Sequence, residues 1–394
     1  MVSERIRRMT PSATSTLNGM VSELKARGEN VIPFNVGEPD FDTPAAVTEA
    51  LKEAADEGKT RYVAVGGIMP LREAIASKMK KDNGLEYAAD QICVSTGGKQ
   101  AVFNAVMTIC DPGDEVIVVA PCWVSYVEMI KLADAVPVVV QSAENYHLSI
   151  DNIKDAITDR TRAIIINTPN NPTGAVYGAE ELSSLAELAK AHDMYILSDE
   201  IYEKLVYGGS KHVSVASVSR DAYERTITIN GFAKAYCMTG WRLGYAAGPA
   251  DIIKGMISLQ GHSTSNSTTM VQWAGIAALE KCDAEIEEMR IAFEERRDYM
   301  KQRLDAIQGI EAGLPDGAFY FMPDVSYWFD KSADGVKIGD AQGFSRYLLE
   351  DAGVAVVPGD AFEAPNTVRF AYPVSVETIK EGMNRIEAAL SKLE

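Results

Sequence analysis

The amino-acid sequence predicts an α/β protein that has a mostly parallel seven-stranded sheet and a smaller α+β unit. Between residues 92 and 247, seven short runs rich in β-branched residues alternate with segments of helical length. Strands of parallel sheets are buried on both faces and read as such continuous apolar runs. After residue 285 the strands are separated and less regular. A chain of 394 residues is also long enough for about two domains.

The strand runs can be placed in chain order. They are ICVS from Ile92, EVIVVA from Glu115, VPVVV from Val136, AIIIN from Ala163, MYILS from Met194, TITIN from Thr226 and LGYAA from Leu243. A long charged helix is predicted over about residues 284–307. Beyond it we expect strands at AFYFMP, VAVVP and VRFAY, and helices near 340–352 and 375–393.

The change of pattern places a domain boundary near residue 285. We expect residues 45–285 to form the large domain. The first 44 residues precede the α/β pattern, and we expect them to pack with residues 286–394 in the small domain.

Composition excludes several classes of function. The net charge is -18 and the pI is about 4.8, so the overall field of the protein repels nucleic acid and anionic membranes. No run of 18 apolar residues predicts a membrane span, and the N-terminus lacks the apolar core of a signal peptide. We therefore expect neither nucleic acid nor membrane as a partner.

The five cysteines are odd in number and form no CxxC pair, which favours a reducing compartment, the cytoplasm. The four histidines lie far apart, without cysteine or carboxylate neighbours at ligand spacing. The sequence therefore predicts no metal site.

Four polar segments follow predicted strands, where open α/β sheets bind their ligands. They are TGGKQ after ICVS, TPNNPTG after AIIIN, DEIY after MYILS and GFAK after TITIN. Taken singly, Gly97 and Gly98 could serve only a tight turn, Asp199 could cap a helix, and Lys234 could be a surface charge. TGGKQ lacks the GxxxxGK[ST] spacing of an ATP-binding loop, so ATP is not expected.

The segment GFAKAYCMTGWRLGY places two cations, Lys234 and Arg242, among aromatic and aliphatic side chains. Such neighbours prefer burial, so both charges should lie away from bulk water. Together the four segments offer an amine for a carbonyl, an acid for a ring nitrogen, donors for a phenolic oxygen and a cation for a phosphate. These are the groups that pyridoxal phosphate requires.

The motifs NNPTG, SDEIY and KAYCMTGWRLG, in this order and at these separations, closely resemble class I pyridoxal-phosphate-dependent aminotransferases of the aspartate aminotransferase family. The resemblance extends from PSAT through GEPDFDTP to VRFAY, nearly the whole chain. It implies the fold type I of such transferases and a homodimer with shared active sites.

The resemblance implies a role for each residue that would meet the cofactor ring. Lys234 would link covalently to pyridoxal phosphate and move the substrate proton. Asp199 would pair with the pyridine nitrogen, Tyr202 and Asn171 would donate to the phenolic oxygen, and Trp123 would stack on the ring.

The phosphate and the subunit contact are assigned in the same way. Arg242 would hold the phosphate, helped by backbone N–H groups at Gly98 and Lys99. Tyr62 resembles the tyrosine that reaches the phosphate from the neighbouring subunit.

The resemblance also implies how substrate binds. Arg369 would grip the α-carboxylate, with Gly37 in close backbone contact and Trp123 and Asn171 nearby. Lys99, with Ser12 and Thr14, resembles the bacterial subgroup in which these residues meet the side-chain carboxylate.

The implied reaction is the transfer of the amino group of L-aspartate to 2-oxoglutarate by a ping-pong mechanism. Aspartate/prephenate aminotransferase activity, within the same subgroup, is the alternative. A β-eliminating lyase and a regulatory descendant are further alternatives. The distal lysine disfavours the lyase, and the absence of a basic DNA-binding extension disfavours the regulator.

Two departures from the family pattern stand beside the lysine. Gly231 and Ala233 occupy positions where many members have hydroxyl residues, so phosphate affinity would rest more on Arg242. Cys237 replaces a smaller or aliphatic residue, and its presence has no functional interpretation.

Overall fold

The computed structural model describes residues 2–333 and 335–394. The helices are α1 Glu4–Arg7, α2 Ala13–Ala26, α3 Ala45–Asp56, α4 Met69–Asn83, α5 Gly98–Ile109, α6 Ser125–Leu132, α7 Ile150–Asp155, α8 Ala179–Ala191, α9 Arg220–Arg225, α10 Ala250–Ser263, α11 Thr269–Lys281, α12 Asp283–Asp305, α13 Ala341–Ala352 and α14 Val376–Leu390. The strands are β1 Ile32–Pro33, β2 Ile92–Ser95, β3 Glu115–Ala120, β4 Val136–Gln141, β5 Thr161–Asn167, β6 Tyr195–Asp199, β7 Thr226–Gly231, β8 Gly244–Ala247, β9 Tyr320–Phe321, β10 Ser332–Ala333, β11 Val336–Lys337, β12 Val354–Ala355, β13 Val357–Pro358 and β14 Val368–Ala371.

The seven predicted runs form one seven-stranded sheet in the order β2-β8-β7-β6-β5-β3-β4. The strands from β3 to β7 pair in parallel, whereas β8 runs antiparallel to both β2 and β7. The predicted α/β fold with a mostly parallel sheet is confirmed.

The central strands are apolar because helices cover both faces of the sheet. Successive side chains of a strand point to opposite faces. Val116 and Val118 accordingly belong to the core that includes residues of α5, α6 and α10. Ile117 and Val119 belong to the core on the other face, with residues of α7 and α8. Each fully buried aliphatic side chain stabilises this arrangement by about 1.5–3 kcal/mol.

The prediction that every strand is apolar and buried on both faces is wrong for β4. This strand lies at the edge of the sheet, and Val136 and Val139 are 45% and 36% exposed. Only one neighbour, β3, pairs with it among the described residues. Pro137 within this strand was the signal that sequence reasoning missed, because proline has no backbone N–H for a second neighbour and is found in edge strands.

The C-terminal unit is built on a small antiparallel sheet in the order β13-β14-β9. The expected strand AFYFMP shrinks to Tyr320–Phe321, and VAVVP divides into β12 and β13. These two short strands join different sheets, because β12 pairs with β1 from the N-terminal segment and β13 pairs with β14. The N-terminal segment thus lies against the C-terminal unit.

Helix α14 shows why the helices of this unit form. Ser375 caps the helix by accepting a hydrogen bond from the backbone N–H of Thr378. The buried residues Ile379, Met383 and Ile386 recur at spacings of four and three, which places them on one helical face. That face packs into the C-terminal core.

Helix α12 connects two hydrophobic cores. Ile286, in its first turn, packs with the core that includes residues of α4 and α11, whereas Met289, Phe293 and Met300 pack in the C-terminal core. We propose that the domain boundary lies between residues 286 and 289, close to the expected position. Although α12 has 23 residues, neither it nor any other described helix is long and apolar enough to cross a membrane.

Candidate active site

Polar side chains converge where the parallel strands end, and they line a cavity of about 280 Å³. Eleven of the thirteen residues singled out from the sequence belong to its lining. They are Thr14, Gly37, Gly98, Lys99, Trp123, Asn171, Asp199, Tyr202, Lys234, Arg242 and Arg369. The other two, Ser12 and Tyr62, lie outside the cavity lining.

Lys234 follows strand β7 and is half-buried in the cavity wall. Its Nζ donates a hydrogen bond to the carbonyl oxygen of Gly37 at 2.5 Å. Burial lowers the pKa of Lys234 to about 8, opposed by the carboxylate of Glu38 and assisted by the positive charges of Arg369 and Arg242. A substantial fraction of this amine is therefore neutral near physiological pH, as a nucleophile or general base requires.

Asp199 is the last residue of β6 and is buried beneath the cavity. Its Oδ2 accepts a hydrogen bond from the hydroxyl of Tyr126 at 2.7 Å, and its Oδ1 accepts from the backbone N–H of Ile201 at 3.2 Å. Burial raises the pKa of Asp199 to about 6, although these two hydrogen bonds act to lower it. The carboxylate is mostly ionised at pH 7 and would be stabilised further by a cationic partner.

Two asparagines connect the ends of β5 and β6. Asn167 lies opposite Asp199 in the sheet register, and its Nδ2 donates to the backbone oxygen of Asp199 at 2.8 Å. Its Oδ1 accepts from the backbone N–H of Asn171 at 2.7 Å. These bonds fix the NNPTG turn, so that the Asn171 side chain faces the cavity.

Arg369 on β14 is buried and approaches the cavity from the C-terminal unit. Its Nη1 donates to Oδ1 of Asn171 and its Nη2 donates to the carbonyl oxygen of Asn35, each at 2.9 Å. Its Nε is buried and has no hydrogen-bond partner among the described residues. Burial lowers the pKa of Arg369, yet a guanidinium stays protonated in proteins. A substrate carboxylate would satisfy both the charge and the free N–H.

Arg242 lies against the turn that begins helix α5. A Cβ placed on Gly97 would come within 2.6 Å of Nη2 of Arg242, and the φ of +84° at Gly97 also favours glycine. Nη1 of Arg242 donates to the backbone oxygen of Thr239 at 2.7 Å. A guanidinium beside the N-terminus of a 12-residue helix is a suitable site for a phosphate.

The far end of the cavity carries Lys99 and Thr14. Nζ of Lys99 lies 4.8 Å from the ring centroid of Trp123, and burial together with the charge of Arg242 lowers the pKa of Lys99. Ser12 caps helix α2, and its Oγ lies 2.9 Å from Oγ1 of Thr14. Ser12 lines an adjacent groove that shares Lys99 with the cavity.

Tyr62 is 89% exposed, and it lies on a loop that polar side chains fix to the large domain. Thr269 donates to the backbone oxygen of Arg61 at 2.8 Å, and the buried Gln260 donates to that of Val65 at 2.9 Å. The placement of Tyr62 on the phosphate of another subunit stays a prediction.

Sequence reasoning missed several residues of the cavity. Tyr126 contacts Asp199 across 73 residues of sequence, which no local pattern indicates. Asn167 ends a strand beside Asp199, so the sheet register could have indicated it. Asn35 and Tyr320 also line the cavity, but nothing in their local sequence sets them apart from core residues.

A buried polar cluster follows Asp199 in the chain. Nε2 of His212 lies 3.0 Å from Oε2 of Glu200, and Glu203 contacts the ammonium of Lys78 and the amide of Asn83. Although burial acts to raise it, the charges of Lys78 and His212 hold the pKa of Glu203 at about 2. The carboxylates and the histidine come close enough to bind a metal ion, but each is already engaged by a partner within the protein.

Comparison with known proteins agrees with this geometry. The family model for class I and II aminotransferases matches residues 29–386. The chain belongs to that aminotransferase family. Its membership confirms the resemblance drawn from NNPTG, SDEIY and the lysine segment, and identifies the protein as an aminotransferase.

Relatives of this aminotransferase match over nearly the whole length of both chains. The aspartate aminotransferase of Bacillus subtilis is 44% identical, covering 99% of each chain. A probable aspartate/prephenate aminotransferase of Aquifex aeolicus is 45% identical, covering 100% of this chain and 99% of the relative. The solved aspartate aminotransferase of Thermus thermophilus with maleate is 44% identical, with a TM-score of 0.93 and 99% coverage of both chains.

Proposed function

We propose that the protein uses pyridoxal phosphate to move the amino group of L-aspartate to 2-oxoglutarate by a ping-pong mechanism. One observation carries the proposal. A lysine of lowered pKa (Lys234), a buried carboxylate (Asp199) and an arginine with an unpartnered N–H (Arg369) line the same small cavity. These are the groups that amino-group transfer on this cofactor needs.

The residues present fit pyridoxal phosphate. Lys234 would hold its carbonyl carbon, Asp199 its ring nitrogen, and Arg242 with the backbone at Gly98 its phosphate. The close approach of Arg242 to Gly97, which a Cβ would prevent, supports the phosphate assignment. When bound, the cofactor supplies an electron sink for the electron pair released at the substrate α-carbon.

Asp199 would keep a proton on the ring nitrogen of the cofactor. With a pKa of about 6 its carboxylate is ionised at neutral pH, and a cationic ring nitrogen beside it would lower that pKa further. Tyr126 orients the carboxylate through its hydrogen bond to Oδ2. Tyr202 and Asn171, on neighbouring loops of the cavity, would donate to the ring oxygen.

Lys234 would move the substrate proton. A pKa of about 8 suits its free amine to take a proton from the substrate α-carbon as a general base. Its contact with the carbonyl of Gly37 places the amine near the position proposed for the α-carboxylate.

Substrate specificity follows from the cations at the two ends of the cavity. Arg369 would bind the α-carboxylate through the fork geometry of its guanidinium. Lys99, with Thr14 and Ser12, would bind the side-chain carboxylate. Both partners of the reaction, aspartate and 2-oxoglutarate, are dicarboxylates, and the cavity offers one cation for each carboxylate.

The proposed assembly is a homodimer with shared sites. Tyr62 is too exposed to serve the cavity of its own chain, and a second subunit would bring its own Tyr62 to the phosphate. The proposed location is the cytoplasm. The five cysteines are free thiols in the described residues, as a reducing compartment favours.

A second candidate function is the use of prephenate as amino-group acceptor. A groove of about 600 Å³ adjoins the cavity at Lys99 and is lined in part by Met9, Val124 and Ala361. It offers apolar room for a ring beyond the distal carboxylate. The relative from Aquifex aeolicus named as a probable aspartate/prephenate aminotransferase supports this candidate.

Steady-state kinetics with paired substrates tests the proposal. We expect aspartate with 2-oxoglutarate to give oxaloacetate and glutamate with a kcat/KM well above that of any neutral amino acid. Prephenate in place of 2-oxoglutarate tests the second candidate. Release of ammonia and pyruvate from cysteine-type substrates without an acceptor would instead favour the β-eliminating lyase.

A further inference from the structure

Tyr320 lines the cavity and contacts two residues that are assigned different roles there, Tyr202 and Arg369. Its side chain is buried, and its hydroxyl is 2.8 Å from the hydroxyl of Tyr202. Its ring lies 4.6 Å from the guanidinium carbon of Arg369. We propose that Tyr320 is a positioning residue that couples Tyr202, the donor to the ring oxygen, to Arg369, the ligand of the α-carboxylate. This inference rests on the proposed function.

The hydroxyl of Tyr320 is placed for polar contact rather than for packing. The neighbouring residues Phe319 and Phe321 are equally buried and carry no hydroxyl. A phenol oxygen buried without a partner is unfavourable, and the Tyr202 hydroxyl is the partner that this oxygen has. The absence of a side chain at Gly37 leaves room for the Tyr320 hydroxyl, because a Cβ at that position would clash with Oη of Tyr320.

The direction of this hydrogen bond follows from the role of Tyr202. If Tyr202 donates its proton to the cofactor oxygen, its own oxygen must accept from Tyr320. A donor bonded to the oxygen of a phenol makes that phenol a stronger donor in turn. Tyr320 would thereby strengthen the bond from Tyr202 to the ring oxygen and stabilise the anionic form of that oxygen.

The ring of Tyr320 has a separate effect on Arg369. The guanidinium carbon lies near two aromatic rings, those of Tyr320 and Phe362 at 4.6 and 4.9 Å from their centroids. Cation–π contacts of this kind hold a guanidinium in one orientation. The ring therefore holds the guanidinium of Arg369 in one orientation, while the hydroxyl acts on Tyr202.

Two variants separate these effects. Tyr320→Phe removes only the hydroxyl, and Tyr320→Leu also removes the ring. Tyr372→Phe is the matched control, because Tyr372 is fully buried in the same core. Among the described residues its hydroxyl is bonded to the backbone of Ala318 and to Tyr207, neither of which lines the cavity. The readouts are the pKa seen in the visible absorbance of the cofactor-loaded enzyme and the Kd of succinate, a dicarboxylate that does not react.

We expect Tyr320→Phe to raise the visible-absorbance pKa by about half a unit and to change the Kd of succinate less than about twofold. Tyr320→Leu should also raise that Kd about fivefold. The Tyr372→Phe control should alter neither readout. An unchanged absorbance pKa in Tyr320→Phe, or equal succinate affinity in all variants, would overturn the inference.

The same measurements separate this inference from the proposed function. A wild-type protein that binds pyridoxal phosphate without a pH-sensitive visible band would refute the proposed function. A normal wild-type band with an unaltered Tyr320→Phe variant would refute the coupling alone. Urea unfolding of each variant identifies loss of fold, and Tyr320→Phe keeps the core volume if Tyr320→Leu does not fold.

Discussion

Replacing Lys234 with methionine should stabilise the cofactor-free protein at neutral pH while removing the covalent link to pyridoxal phosphate. The reason is that burial lowers the pKa of Lys234 from 10.5 to about 8. The unfolded chain therefore binds more protons than the folded protein between pH 8 and 10.5, and stability rises with pH across that interval. Below pH 8 the folded protein bears the full cost of a buried ammonium.

The size of the effect follows from the pKa change. At 1.36 kcal/mol per pKa unit, a fall from 10.5 to about 8 corresponds to about 3 kcal/mol. Lys234 is only half-buried, and access of water to the cavity reduces the expected gain to about 2 kcal/mol. At pH 9.5 less than half of that gain should remain, because the wild-type amine is then mostly neutral in the folded protein.

The assay is urea unfolding of cofactor-free wild type and Lys234→Met at pH 7 and pH 9.5, at equal subunit concentration because association also stabilises. Lys154→Met is the control, since Lys154 is an exposed lysine on α7 and its replacement should leave the midpoint unchanged at both pH values. Equal stability of wild type and Lys234→Met at pH 7, or a difference that grows towards pH 9.5, would refute the reasoning.

Three further predictions concern single contacts. Lys99→Met should lower kcat/KM for aspartate about 10-fold to 100-fold, the loss expected for a hydrogen bond to a charged group. The kcat/KM for a neutral amino acid should not change, and equal losses for both substrates in steady-state assays would contradict the distal role. Tyr126→Phe removes a donor to Asp199, so the pKa of that carboxyl should rise above about 6. A fluorescence titration should then show weaker cofactor binding at pH 7, and unaltered affinity would argue against the ring-nitrogen role of Asp199. Glu203→Gln removes the nearer of the two counter-charges of the buried Lys78 and leaves Asp82 at 3.7 Å. It should destabilise the protein, but by less than the roughly 3–5 kcal/mol of a buried charge left unpaired; an unchanged urea midpoint would show that the pair is dispensable.

The sequence was sufficient for the strands of the large sheet, because β-branched runs buried between two layers of helices have a distinctive composition. The direction of β8 was not predictable, because it depends on which strands become neighbours. The edge position of β4 was missed, although Pro137 within the strand indicated it. The short strands β9, β12 and β13 were also misjudged, since two-residue pairings carry no periodic signal.

The candidate site was predictable in part, for a related reason. Asp199, Asn171 and Lys234 follow strands of one sheet, and the ends of parallel strands meet at one edge. Tyr126 and Tyr320 act through hydroxyl contacts across 73 and 118 residues of sequence, which local patterns cannot reveal. The roles proposed for all these residues stay predictions until they are measured.

The most direct test of the account is the visible absorption spectrum of the purified protein loaded with pyridoxal phosphate, followed through one cycle of additions. Aspartate alone should abolish the band of the lysine-bound cofactor, and 2-oxoglutarate added after removal of aspartate should restore it. Restoration by prephenate as well would add the second acceptor. A band that aspartate leaves unchanged, or a protein that binds no cofactor, would contradict the central claim.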